Sequence, residues 1–495
     1  MATTVTGIKE QLAKIVGKDN VLDSPDVLER YGKDYSIERP GLFTCVVHPR
    51  TVAEMQKIIQ LANELKFSIV PQTSGVHFDG DAVPKSGGVV LDLSGMNRIV
   101  KILKDSMVAH LEVGVNWEQF QTALEAKGCR SIIPLLPHAS RAVIMDWLEM
   151  KHPVVQNYEC AGPLRSMQVV WGNGQEFVTG SAAIGHFGNT EVGDLAEGTV
   201  PSGPGPMAYD ALLCGSQGTI GVVTWGAVTI EPIPAVAKTF FIPADRAEDV
   251  IEPLYEILRR GVCTECLLLN NINLATILTE NWPEQFAQLR AILPRWTVIF
   301  VSTAMKRRPE EKIAYQEEFV RDMMLTYFNK LNLLTTLPGL PAVEKQIPEM
   351  LRKPWPKDKT YWKHAYKGGC QDLVFITTLD RVARFIPAVD DVATRHGYPQ
   401  NDIGCYIQPI EDGHACQIEF SFYYNSADEA ERERMRGLYA DAAAAVLDRG
   451  AYFTRPYGVV ADMVYKRYND YASLLKRVKK NFDPNGIMNP GNLCF

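Results

Sequence analysis

Apolar positions in the first 125 residues switch repeatedly between helical and strand spacing. Met55, Ile58, Ile59, Ala62 and Leu65 recur every three or four residues behind Thr51-Val-Ala-Glu54, a capping box, and predict a helix over about 52–66. The short apolar runs Phe67–Val70, Gly88–Leu93 and Met107–Val115 predict strands. Asn173-Gly174 lies between two β-rich runs, and positive φ at both residues would make 167–180 a hairpin with a type I′ turn. Beyond Pro232 and Pro234 longer helical patterns begin. Cys405–Gln408 and Ala415–Tyr424 then alternate as paired strands around Glu-Asp-Gly, and Ser426-Ala-Asp-Glu429 reads as the cap of a helix that stops at Gly450. The turn-rich DPNGIMNPGN after a helix starting at Asn469 cannot form a core alone and must dock elsewhere, on the first domain. These patterns divide the chain into 1–235, 236–450 and a returning segment 451–495.

With 495 residues, 46% of them hydrophobic, the chain can bury a large core, and its size calls for two or three domains. The formal charge of −7 is mixed along the chain, which argues against nucleic acid or a polybasic membrane contact. No apolar run approaches a membrane span, and the start lacks a signal-peptide core, so a cytoplasmic protein is expected. Ten irregularly spaced cysteines suit reduced thiols.

Rossmann, P-loop and His-Glu-x-x-His signatures are absent, and Cys263-Thr-Glu-Cys266 lacks the second pair a zinc site needs. No metal is expected. Two small-residue loops remain. Val70-Pro-Gln-Thr-Ser-Gly-Val-His-Phe-Asp-Gly80 leaves a strand with side chains too small to block a row of N–H groups, as a pyrophosphate needs, although spacing alone favours a surface turn. Gly215-Ser-Gln-Gly-Thr-Ile-Gly-Val-Val-Thr224 lets a flat ring approach the backbone or is simply a tight turn. The glycine-rich Gly185–Pro206 stretch has the length of a lid or binding segment.

In this order, PQTSGVHFDGDAVPKSGGVVLDLSGMNRIV, SMQVVWGNGQEFVTGSA, GPGPMAYDALLCGSQGTIGVVTWGAVTIEPIP and VKKNFDPNGIMNPGN resemble the flavoprotein family of vanillyl-alcohol oxidase and p-cresol methylhydroxylase, with the related D-lactate and glycolate dehydrogenases. The resemblance implies an α+β fold, with a two-part FAD-binding domain of the p-cresol methylhydroxylase type built by both chain ends around an inserted α+β cap. It implies FAD. By position, Pro71, Gln72, Thr73, Ser74, Gly75, Val76, His77 and Gly80 would cradle the pyrophosphate. Gly218, Thr219, Ile220, Gly221 and Val223 would flank the flavin, with Ser140, Arg455 and Asn489 completing the cofactor site. The positions of the family's usual covalent tethers fall on Val76, one residue from His77, and within Cys370–Leu373, so dissociable FAD is expected.

Two departures stand out. Where relatives carry a glycine-rich stretch around 139–148, this chain reads Pro137-His-Ala-Ser-Arg-Ala-Val-Ile-Met-Asp-Trp147. The Glu-His-Gly metal motif of the D-lactate dehydrogenase branch is replaced by Gly450-Ala-Tyr-Phe-Thr-Arg-Pro-Tyr-Gly458. GPGP and Arg455 look more like the phenol-oxidising branch, although Thr454 stands where that branch has tyrosine. The implied reaction moves a hydride from an alcohol-bearing or phenolic carbon to flavin N5. His138 is the expected base, with Asp79 and Tyr457 next, and Arg455, among Tyr452, Phe453 and Tyr457, is the expected clamp for an anion. A D-2-hydroxy acid dehydrogenase is the alternative, as is an electron-transfer subunit with Cys263 and Cys266 near an iron–sulfur partner. The expected partners are a small-molecule substrate and oxygen or an acceptor protein, with room for a homo-oligomer.

Overall fold

The computed structural model describes residues 5–183, 198–203, 205 and 207–495, so most of the expected Gly185–Pro206 loop, including Pro204 and Pro206 of GPGP, lies outside the described residues. Two sheets form the first part of the chain. In the first, β2 (Cys45–Val47), β4 (Val89–Asp92) and β3 (Ile69–Gln72) run parallel, and β1 (Val21–Leu22) adds antiparallel at the edge. β2 and β4 are buried at every residue, the near-continuous apolar reading of a covered parallel sheet. The helix Val52–Leu65 covers it and starts with the expected capping box: Thr51 accepts from the Glu54 N–H while Glu54 reaches back to the Thr51 N–H.

The second sheet is antiparallel, ordered β5 (Ile99–Leu103), β6 (Val108–Glu112), β10 (Gly221–Pro232), β8 (Leu164–Trp171) and β9 (Glu176–Val178), with β7 (Cys129–Ser131) also on β10. The β8–β9 hairpin turns differently from the expected type I′ form. Gly174 has φ 83° but Asn173 is not in the left-handed region; instead its side-chain oxygen accepts from the Gln175 N–H, 2.9 Å away. A local asparagine bond thus replaces the second positive φ.

The cap is one antiparallel sheet, β11 (Val236–Ala244), β13 (Trp296–Ala304), β12 (Glu265–Asn270), β15 (Ile403–Ile410), β16 (Ala415–Asn425) and β14 (Gly368–Thr377). Strand alternation sorts β16 into two faces. Cys416, Ile418, Phe420 and Phe422 enter the cap's own core, leaving Gln417, Glu419 and Ser421 on the opposite face. The helix Glu429–Asp448 covers the core side. Its cap is Asp428, which accepts from the Ala430 and Glu431 N–H groups, while Ser426 bonds the Gly368 carbonyl instead.

The chain then returns. Ile69 and Asn489 exchange backbone bonds with Ile487 and Ile69, so the tail extends the first sheet beside β3. Buried Lys479 fastens it by donating to Asp483 at 2.7 Å, to the Met488 carbonyl at 3.1 Å and to the Thr219 carbonyl. The ten cysteines are unpaired thiols, and no described helix is long and apolar enough to cross a membrane.

Candidate active site

β3 delivers the chain into the 73–81 loop, which is held from outside. The Asp34 carboxylate accepts from the Gly80 N–H at 2.8 Å, and the Tyr35 N–H binds the His77 carbonyl at 3.0 Å. Among the described residues the N–H groups of Ser74, Gly75, His77 and Phe78 find no acceptor. Pro71, Thr73, His77, Gly218, Gly221 and Val223 meet Asn489 around one cavity between the two sheets of the first part. Asn489 ties its rim together, donating to the carbonyls of Asp81 at 2.9 Å and Gln217 at 2.7 Å. Gly218 has φ 67°, and a Cβ there would sit 2.5 Å from Pro71 Cγ, so close approach of the two loops requires glycine.

The other expected cofactor residues serve the frame. Gln72 donates to the Ala82 carbonyl, Ser74 Oγ braces Val76, Thr219 Oγ donates to the Ser216 carbonyl, and Ile220 packs in the core. Gly75 stands open, with nothing within 4 Å of an added Cβ. The Ser140 N–H binds His138 Nδ1 at 3.1 Å, and neither side chain lines this cavity or the central one described next.

The segment 137–152 replaces small residues with a buried ionic frame. Arg141, 2% exposed, bonds Asp146 at 2.7 Å, Glu149 at 2.6 Å and the Val76 carbonyl at 3.2 Å. Trp117 fixes the second Asp146 oxygen, and Lys151 pairs with Asp79 at 2.9 Å. Lys151 and Arg455 outweigh the burial of Asp79 and hold its carboxyl down at about 2. Burial and the neighbouring Asp79 and Asp34 push Asp81 up to about 6, and burial, only partly offset by Arg141, raises Glu149 to about 7. His77, its Nε2 on the Ser74 carbonyl, is kept neutral by burial and by Arg141, down at about 4. The ligand atoms of His77, Asp81 and Glu149 lie within 4.8 Å of one another, close enough to share a cation, but they face the first cavity and Arg141 already holds Glu149.

A central cavity opens on the other side of Arg141, between the loop 78–79, the 134–152 segment and the polar face of the cap sheet. Phe78, Tyr361, Trp362 and Tyr406 supply flat walls, with Phe78 and Tyr361 stacked at 5.3 Å. Arg455 donates to the Glu149 carbonyl at 3.1 Å and to Gln417 at 3.4 Å. His152, kept neutral at about 3 by burial, donates from Nδ1 to the same Gln417 oxygen at 2.6 Å. The expected aromatic collar of Arg455 is not there as drawn, because Tyr452 is exposed and Phe453 belongs to the cap core. Tyr457 lines a third cavity with Asp79; its hydroxyl is buried without a partner, and burial raises its pKa. His138 packs edge-on against Tyr361, outside the central cavity lining. Cys263 and Cys266 are buried in the cap core, so they cannot face an iron–sulfur partner.

Residues 43–140 match the FAD binding domain, and residues 361–493 match the C-terminal domain of FAD linked oxidases. Together the two matches mark the chain as an FAD-linked oxidoreductase. It is 22% identical to glycolate oxidase subunit GlcD of Bacillus subtilis over 98% of this chain and 96% of that one. It is equally 22% identical to D-2-hydroxyglutarate dehydrogenase of Stutzerimonas stutzeri, over 98% of each. The fold matches p-cresol methylhydroxylase with substrate bound at a TM-score of 0.84 and 18% identity, over 99% of this chain and 96% of that one. It also matches 4-ethylphenol oxidase from Gulosibacter chungangensis at 0.82 and 18%, over 99% and 97%.

The first cavity fits the FAD of this oxidoreductase. Its unbonded loop N–H groups suit an anionic pyrophosphate, and the buried oxygens of Gln217 and Asn489 find no donor among the described residues. Sequence reasoning missed Arg141, Asp146, Glu149, Lys151, His152, Lys363, Asp372, Gln417 and Glu419. A signal existed for the cap residues: Gln417 and Glu419 are polar at i and i+2 in the apolar run Cys416–Tyr424, which marks a buried strand face with a polar task.

Proposed function

We propose that the enzyme removes a hydride from an alcohol-bearing or phenolic carbon of a small substrate that also carries an anionic oxygen group. The observation behind this reading is Arg455. Its guanidinium is 6% exposed, lines the central cavity and has no carboxylate partner among the described residues. A buried guanidinium that no carboxylate bonds is expensive, and a phenolate or carboxylate arriving in the cavity would pair with it directly. The aromatic walls hold a flat substrate, and His152 orients Gln417 so that its oxygen meets Arg455. Bound FAD supplies the hydride acceptor.

A D-2-hydroxy acid is the second reading, supported by the full-length relatives named for glycolate and D-2-hydroxyglutarate; Arg455 would then hold the substrate carboxylate. Anaerobic bleaching of the flavin by a panel of aryl alcohols, phenols and hydroxy acids tests both, and no bleaching by any of them refutes both. The absence of the usual tether positions supports dissociable FAD: acid precipitation should release all the yellow colour, and colour left on the pellet would point to His77.

A further inference from the structure

We infer that Glu419 accepts the hydroxyl proton when the substrate is an alcohol, and that Lys363 and Asp372 position it. The inference rests on the oxidation proposed above. Glu419 projects from β16 into the central cavity, 8% exposed. Lys363 bonds its carboxylate at 2.5 Å and bonds Asp372 on β14 as well. Asp372 has two further donors, Ser421 Oγ at 2.8 Å and Cys370 Sγ at 3.4 Å. One ammonium between two carboxylates leaves the group one negative charge in excess. Of the two, Glu419 has the fewer protein donors, so it is the one free to take a proton.

The candidates from sequence are placed less well. His138 lies outside the cavity lining with Nδ1 on the Ser140 N–H, and Asp79, paired with Lys151, is too weak a base near neutral pH. Gln417, which contacts Arg455, and Glu419 are i and i+2 on one strand face, roughly 6–7 Å apart. A substrate anion at Arg455 therefore brings a separate hydroxyl, rather than one on the adjacent carbon, toward Glu419. In the balanced step the C–H electron pair leaves as hydride to the flavin, which is reduced by two electrons. The O–H proton passes to Glu419, and the C–O bond becomes C=O; Glu419 then loses its proton to solvent.

The groups facing Glu419 are Lys363 and Tyr361 from one side, Asp372 and Cys370 on β14, Tyr406 on β15 and, farther off, Lys151, with Cys405 sensing it from the other face of the sheet. Burial and Asp372 raise its carboxyl above the usual range, while Lys363 opposes them. Anaerobic flavin reduction by 4-(hydroxymethyl)benzoate, followed from pH 5 to 9, tests the assignment on the FAD-loaded full chain. Glu419→Gln should keep the flavin spectrum, reduce at least about 10²-fold more slowly and lose the acidic limb of the wild-type profile. Asp372→Asn should move that limb to lower pH. Reduction of Glu419→Gln at the wild-type rate, or slowly but with the limb intact, overturns the assignment alone. If the Gln variant does not fold, Glu419→Asp should slow reduction and keep the limb, and a wild-type rate overturns the proposal. Failure of the wild type to bleach with any alcohol overturns the oxidation reading and this step together.

Discussion

Along the cofactor cavity several polar groups lack partners among the described residues: loop N–H groups without acceptors, the side-chain oxygens of Gln217 and Asn489, and one Asp81 oxygen. In the central cavity, a few side chains away, nearly every charge is matched, with Arg141 on Asp146 and Glu149, Lys151 on Asp79, and Lys363 on Asp372 and Glu419. Arg455 is the exception. The first cavity is thus left for its occupant to complete, whereas the second is already assembled and awaits one anion.

The largest effect should come from the wall between them. Arg141→Met leaves Asp146 and Glu149 buried without their cation and should cost about 3–5 kcal/mol in denaturant unfolding, with loss of bound flavin. A stable, FAD-loaded variant would break the comparison. Next, Arg455→Lys keeps the charge but not the planar fork. It should retain FAD and lower kcat/KM by about 10–100-fold, as expected from losing about 1.5–3 kcal/mol of charged hydrogen bonding. Unchanged steady-state kinetics would remove Arg455 from the substrate site.

A smaller effect concerns pH. Asp81 and Glu149 have carboxyls raised to about 6 and about 7, so they are neutral at pH 5 and ionised at pH 8. An anionic cofactor entering their cavity favours the protonated forms, and binding takes up protons. FAD affinity should therefore fall as pH rises from 5 to 8, by about tenfold per unit of pKa displaced, and Asp81→Asn should flatten the lower part of that curve. Fluorescence titration of the apoprotein checks it; a pH-independent affinity would mean that neither carboxyl senses the cofactor. The smallest effect is a control away from both cavities. Asp428→Ala removes the cap of Glu429–Asp448 and should cost about 1 kcal/mol in thermal unfolding while leaving the flavin spectrum unchanged.

Features fixed by neighbours in the chain were legible before the structure. The Thr51–Glu54 box, the alternation of Ala415–Tyr424 and the need of the DPNGIMNPGN tail for a partner all follow from local chemistry. Where two local solutions compete, sequence chose wrongly: Asn173 satisfies its turn through its side chain, and Asp428 caps the helix assigned to Ser426. The loops 71–80 and 215–224 were recognisable only together and in order, since each alone reads as a turn. The charged frame was out of reach for another reason. Arg141 and Asp146 read in sequence as a departure from a glycine-rich pattern, and no local signal showed that the segment would be buried with Arg141 on the Val76 carbonyl of β3's loop and on Glu149. Glu419 and Lys363 are 56 positions apart and meet only through the cap sheet.

The tail beside β3 also sets the order in which the molecule is finished. Asn489 reaches Asp81 across 408 positions and Gln217 across 272. A ribosome making this chain N-terminus first must therefore release β3 and its loop long before their neighbouring strand exists. Until then the edge of β3 and its apolar residues stay open, where aggregation competes with folding. Cofactor capture on this account waits until residues 487–489 have been made, and the nascent chain should need a chaperone until then.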